Sequence, residues 1–354
     1  MKVRIYAVAA IMCLLANVTL LAAQPDGRGK RSRRAVKLAR GAKLVPILPA
    51  SDAVVTFDNK RFFAEGLPTI LSTNQSALAE ILSRINATAN RTGIDLTKFD
   101  EVAVGINIKQ VAPGNVDFDP VAIASGDINA AAMVNVGKLA AAGSYREETI
   151  AGRSVYIFSA KDAAQNTGST ASNSKIAAAV DKAVQGLTDE VAIAAYNSTS
   201  VVVGSYGRVK ETLESRSHPS SELTALLNRD PAATLNFAAK TPAGLDGMLP
   251  LGRDMLADDL RSIQYISGAF DVTAAGATLA VAARVLKPEQ AVHLKNTVDG
   301  LRAFGSIFAA SKRTDQQVYA RMIRNVKVAA AGTDLTLDLM VPKADIDTLV
   351  SGVK

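Results

Sequence analysis

The chain has 354 residues, of which 48% are hydrophobic and 21% charged, enough apolar material for one large domain or two of ordinary size. Tryptophan is absent and the only cysteine is Cys13, which excludes an intramolecular disulfide. The net charge of +7 has a local origin, because residues 1–40 hold nine of the 40 Lys and Arg and one of the 33 Asp and Glu. The remainder carries 31 basic and 32 acidic side chains, a net charge of −1, which argues against a nucleic-acid-binding domain.

Residues 1–23 have the pattern of a signal peptide or membrane anchor. Two basic residues precede an apolar run over residues 5–23, and the small residues at its end predict cleavage after Ala22 or Ala23. The run could also span the ~30 Å hydrocarbon core of a bilayer at ~1.5 Å per residue. We therefore predict a periplasmic or secreted protein, with an inner-membrane form anchored through residues 5–23 as the alternative.

Residues 24–43 form a basic segment with seven Lys and Arg side chains between Arg28 and Arg40. This composition predicts a disordered linker. The functional alternative is contact with a membrane surface or another polyanion through residues 27–43. Positive charge on this side of the apolar run resists translocation, and in an uncleaved anchor it could hold the body in the cytoplasm. Specific nucleic-acid binding is not expected.

The body begins with a strand over residues 49–57 and two helices. The first helix is predicted over residues 60–71, bent or restarted at Pro68. In the second helix, apolar side chains recur at i, i+3, i+4 and i+7, a spacing that places one apolar stripe on the core. The stripe consists of Leu78, Ile81, Leu82 and Ile85.

Hairpins followed by helices then recur. The first hairpin is predicted from residues 100–108 and 120–124, and Asp127 is placed to cap the helix behind it. The same order returns at residues 262–285, where Pro288 occupies the first position of a long helix.

Internal similarity predicts a tandem duplication over residues 44–220 and 228–354. Residues 230–237 echo residues 52–57 at the start of the second half. Each half is expected to be an antiparallel sheet packed on one side by helices, which makes the fold class α+β rather than a doubly wound parallel sheet. Whether the halves share one sheet is left open by the periodicity.

Candidate catalytic and metal-binding residues are few. His218 lies in a Ser-rich turn and His293 in the long helix, and neither has a Cys or second His at zinc-site spacing. The carboxylate pairs Asp117/Asp119 and Asp345/Asp347 are too sparse for a calcium loop, so no metal is predicted. The sequence contains no glycine-rich nucleotide motif, so no cofactor is predicted either.

The densest polar cluster in the body is Asp58, Asn59, Lys60 and Arg61, where the first strand meets the first helix. As a binding site it would offer a carboxylate, an amide and two cations to an anionic ligand. The structural interpretation, which we favour, is that Asp58 or Asn59 caps the helix and the cations are solvated.

Several short segments of the body carry a family resemblance, at residues 48–55, 92–95, 145 with 152–156, 201–204 and 288–291. Through these segments the body resembles a group of uncharacterised exported bacterial proteins of the domain-of-unknown-function type. The resemblance implies export and a repeated α+β fold, and no activity. The sequence therefore favours a non-catalytic binding or envelope-associated protein whose ligand is unknown. The alternative is an exported enzyme, possibly a hydrolase, with a site assembled from separate loops.

Overall fold

A computed structural model describes residues 42–92, 95–112, 115–140, 144–159, 190–228, 230–242, 260–304 and 313–351. The predicted leader and all of the basic segment except Ala42 and Lys43 lie outside the described residues.

The described residues form one antiparallel sheet of twelve strands, so the predicted α+β class is confirmed. The strands are β1 (Ala53–Asp58), β2 (Phe99–Ala112), β3 (Asn115–Gly126), β4 (Tyr145–Ile150), β5 (Arg153–Ser159), β6 (Glu190–Asn197), β7 (Ser200–Ser205), β8 (Leu235–Lys240), β9 (Ile263–Thr273), β10 (Gly276–Val285), β11 (Lys327–Ala331) and β12 (Asp334–Pro342). Their order across the sheet is β11-β12-β10-β9-β8-β1-β2-β3-β7-β6-β5-β4.

The two predicted halves meet where β1 pairs with β8, with Val55 opposite Phe237. On their other sides β1 pairs with β2 and β8 pairs with β9, so the halves share one sheet. The order β1-β2-β3 running one way from the centre matches β8-β9-β10 running the other way. The duplication itself stays a prediction.

The helices are α1 (an α turn Asn59–Arg61, a π turn Phe62–Gly66 and an α turn Leu67–Ile70), α2 (Gln75–Thr92), α3 (Ala130–Ala140), α4 (Tyr206–Glu214), α5 (Ser221–Leu227), α6 (Pro288–Phe304), α7 (Thr314–Asn325) and α8 (Lys343–Ser351). Pro288 opens α6 as predicted.

Both faces of the central strands are covered, whereas the sequence predicted helices on one side only. All six positions of β1 are buried. Successive side chains of a strand point to opposite faces. Val55 accordingly belongs to a core shared with α1, α7 and α8, and Val54 to a core shared with α4 and α5. Val55 and Phe57 are apolar on one face of β1 and Val54 on the other, and this is the sequence feature that requires the double cover.

The apolar stripe of α2 is not on the core, contrary to the prediction. Only Leu78 at its start packs against the core, while Ile81 and Leu82 are 37% and 36% exposed. Periodicity defines a stripe on a helix but not the surface that the stripe meets.

The cap of α3 is also displaced from the prediction. The helix begins at Ala130, and the side chain of Asn129 accepts a hydrogen bond from Ala132 N at 3.0 Å. Asp127 lies two residues too early, and its backbone N–H donates to Lys98 O at 2.9 Å. Both side chains are good caps, so the position at which the helix starts decides which one is used.

Candidate functional site

The first two residues of the predicted polar cluster are buried and bonded to the backbone. Asp58 is the N-cap of α1, and its Oδ1 accepts from Arg61 N at 3.0 Å. The Nδ2 of Asn59 donates to Phe99 O at 2.8 Å and to Leu96 O at 3.0 Å. These bonds satisfy polar groups that would otherwise be costly to bury.

The two cations of the cluster have different surroundings. Lys60 is exposed and forms an ion pair with Asp100 at 3.0 Å, as expected for a solvated cation. Arg61 is largely buried, donates to Ala232 O at 2.5 Å and pairs with Asp271 at 2.8 Å. Asp58 is therefore engaged within its own helix and the other three side chains with neighbouring elements, and this geometry favours a structural role for the cluster.

A groove with a volume of about 730 Å³ lies along the second half of the sheet, beside β10 and β12. Its strand lining consists of Thr278, Leu279 and Ala280 of β10 and Asp338, Leu339 and Met340 of β12. Thr278 is opposite Met340 in the register, and Ala280 is opposite Asp338, so these side chains share a face of the sheet. We call this cavity the β10–β12 groove.

Three cations from three elements line the groove. Arg302 comes from the last turn of α6, Arg324 from the last turn of α7, and Lys327 is the first residue of β11. Lys327 is opposite Asp338 in the register, and Asp230 also lines the groove. The lining thus holds five charged side chains, two uncharged polar ones and six apolar residues, so polar and apolar groups contribute to it in similar measure.

Arg302 joins the ends of two helices. Its Nη1 donates to Asp299 Oδ1 at 2.8 Å, and its Nη2 donates to Arg324 O at 2.9 Å at the C-terminus of α7. The second bond satisfies a carbonyl that has no partner within its own helix. Hydrogen bonds from Lys295 and then Arg302 lower the pKa of Asp299, because they stabilise its charged form. The guanidinium is thereby fixed at the groove.

The other candidates from the sequence lie outside the groove. His218 is exposed in the connection between α4 and α5, and His293 is exposed on α6. Asp119 is buried, and its carboxylate accepts from Lys109 Nζ at 2.6 Å and from the hydroxyl of Ser205. The structure therefore brings neither histidine to the groove.

The two carboxylates of the pair Asp345/Asp347 form separate ion pairs. Both residues lie on α8, where Asp345 pairs with Arg321 and Asp347 with Lys343. Within the part of the chain that the structure describes, no three His, Cys, Asp or Glu side chains are placed to hold a metal ion.

Comparison with known proteins gives only a distant likeness. No family model matches the chain, and no curated protein matches it. The crystal structure of TP0453 in form I covers 87% of this chain and 96% of its own, with 9% identity and a TM-score of 0.41. Form III of TP0453 covers 87% and 98%, with 10% identity and a TM-score of 0.44.

No helix that the structure describes has both the length and the apolar character to cross a membrane.

Sequence reasoning missed the β10–β12 groove because its cations come from separate elements. The only local signal is that Arg324 and Lys327 lie three residues apart, where a helix gives way to a strand. Solvated cations are common at such junctions, so this spacing alone does not indicate a site. The contribution of Arg302 depends on how α6 and α7 meet, which no local pattern encodes.

Proposed function

We propose that this protein is a non-catalytic binding protein that holds a small molecule in the β10–β12 groove. The observation that carries the proposal is the groove itself, whose volume of about 730 Å³ lies within the range of ligand sites, ~300–1,000 Å³. Its apolar strand residues would contact the body of a ligand, and its five charged side chains would orient the polar groups of the ligand. Neither described histidine lines the groove, so the lining offers no imidazole as a base.

The proposal includes export to the periplasm or out of the cell, with a membrane-tethered form as the variant in which residues 5–23 are not cleaved. Its support is the leader in the sequence. Fractionation of the native host with N-terminal sequencing tests it. We expect a chain that begins near residue 23 or 24 in the periplasm or medium, or an intact chain in the inner membrane. An intact leader on a cytosolic product would contradict export.

Binding is tested by titrating the purified full chain with N-phenyl-1-naphthylamine, a neutral apolar probe whose fluorescence rises in apolar surroundings. We expect saturable binding. Ala280→Trp places an indole in the groove from an exposed strand position and should weaken binding by about tenfold or more, ~1.4 kcal/mol.

The matched control is Ala329→Trp, the same substitution at an exposed position of β11 that does not line the groove. It should leave binding of the probe unchanged. If Ala280→Trp binds the probe as the wild type does, or if both variants weaken binding equally, the groove is not the binding site.

A further inference from the structure

We infer that the ligand of the β10–β12 groove carries a compact anionic group, a phosphate or a carboxylate, which contacts Arg324 and Lys327. The inference rests on the proposed function, since it concerns the chemistry of the same groove.

Arg324 and Lys327 are the cations that a ligand could use. Both are exposed and both line the groove. The ion pairs among the described residues leave both of them out, whereas most other arginines of the second half are paired with carboxylates. A guanidinium and an ammonium that line the same groove can bind an anionic group with charge-assisted hydrogen bonds.

Arg302 is a positioning residue rather than a ligand-binding one. Its guanidinium is already bonded to Asp299 and to two backbone carbonyls, Ile323 O at 3.4 Å and Arg324 O at 2.9 Å. The second carbonyl belongs to Arg324, so Arg302 holds the backbone of that residue beside the groove. A site held in place before binding avoids part of the ordering cost of association.

The two carboxylates of the lining limit the size and charge of the anion. Asp230 is held by its own turn, where its Oδ1 accepts from Ala232 N at 3.1 Å. Asp338 is opposite Lys327 in the register and would repel a second negative charge further along the strands. The lining therefore favours a single anionic group near Arg324, with the uncharged part of the ligand along Thr278 and Met340, which share one face of the sheet.

The test is displacement of N-phenyl-1-naphthylamine from the full chain by decyl phosphate, decanoate, decanol, decyltrimethylammonium and inorganic phosphate. We expect decyl phosphate and decanoate to displace the probe at concentrations at least about tenfold lower than decanol or decyltrimethylammonium. Competition by inorganic phosphate as well would mean that the anionic group suffices. Displacement by the decyl anions alone would mean that an apolar chain is also needed. Either result supports the inference.

Substitutions of the groove residues test where the anionic group of the ligand binds. Arg324→Gln and Lys327→Gln should each weaken decyl phosphate binding by roughly five- to twentyfold and leave probe binding unchanged. Asp338→Asn should strengthen decyl phosphate binding, because it removes the opposing charge. Arg313→Gln, at the other end of α7 and outside the groove, is the matched control and should change neither.

The failures of the two proposals are distinguishable. If decanol displaces the probe as well as decyl phosphate does, or if Arg324→Gln and Lys327→Gln both bind decyl phosphate normally, the inference is overturned while the groove remains a binding site. If the probe binds Ala280→Trp as it binds the wild type, the groove is not the site and both proposals fall.

Discussion

The guanidinium of Arg61 and the carboxylate of Asp271 form a two-pronged ion pair between α1 and β9, residues 210 positions apart in the chain. The Nη1–Oδ1 distance is 2.8 Å and the Nη2–Oδ2 distance 3.1 Å. The same carboxylate accepts from Thr234 Oγ1 at 2.7 Å, and Thr234 O accepts from Asp58 N at 2.8 Å. This network ties together the ends of β1, β8 and β9, at the seam between the two predicted halves.

Removal of the carboxylate from this network should destabilise the fold. Asp271→Ala removes the carboxylate that accepts from both the Arg61 guanidinium and the Thr234 hydroxyl, although the guanidinium keeps its bond to Ala232 O. We expect a loss of about 1–3 kcal/mol in the free energy of unfolding. Asp100→Ala breaks the exposed pair with Lys60 and should cost less than about 1 kcal/mol. Urea denaturation measures both. Equal losses would contradict the assignment of a structural role to Arg61.

A second prediction concerns the pKa of Glu148 on the edge strand β4. The hydroxyl of Tyr206 donates to Glu148 Oε2 at 2.6 Å, and this bond, followed by the charge of Arg146, lowers the pKa of the carboxyl. Tyr206→Phe should therefore raise the pKa of Glu148 toward its ordinary value. Carbon-detected NMR titration of the side-chain carboxyl measures the change, and Tyr196→Phe, whose ring lies under Arg153, is the control.

The same change has a predictable effect on stability. A carboxyl whose pKa is lowered by folding stabilises the native state above its unfolded pKa, and this contribution is lost as the pH falls through the folded pKa. Tyr206→Phe should therefore be less stable than the wild type near neutral pH, and the difference should shrink in acid. A difference that is the same at pH 7 and pH 3 would show that the hydrogen bond to Glu148 is not its cause.

Local features of the sequence predict where strands and helices lie better than they predict which strands pair with each other. Alternating and continuous apolar runs located the strands, and Pro288 located the start of α6. The pairing of Val55 with Phe237 was not predictable, because a period of two defines the face of a strand but not its partner.

The candidate site shows the same limit. Asp58 was predictable as a cap because its bond to Arg61 N is local. The partner of the Arg61 side chain was not predictable, because Asp271 is distant in sequence. The sequence predicts a solvated Arg61 for the same reason. The β10–β12 groove depends entirely on such distant contacts.

Two glycines should respond in opposite directions to alanine. A Cβ on Gly268 of β9 would contact Ala280 O and lie 2.6 Å from the ring of Phe237, so Gly268→Ala should cost about 1–3 kcal/mol through overpacking. A Cβ on Gly207 of α4 would meet nothing within 4 Å, so Gly207→Ala should stabilise the helix by roughly 0.5–1 kcal/mol. Thermal and urea unfolding measure both. A neutral Gly268→Ala would mean that β9 and β10 can separate without cost.

The exposed stripe of α2 provides the last prediction, a comparison of two isoleucines. Ile70 in α1 is 5% exposed within the core, and its replacement by alanine should cost about 2–5 kcal/mol, because the change leaves a cavity. Ile81 in α2 is 37% exposed, and the same replacement should change the free energy of unfolding by less than about 0.5 kcal/mol, as is usual at surface positions. Urea denaturation measures both. A loss at Ile81 as large as that at Ile70 would mean that the stripe is covered in solution, as the apolar spacing of Leu78, Ile81 and Leu82 originally indicated.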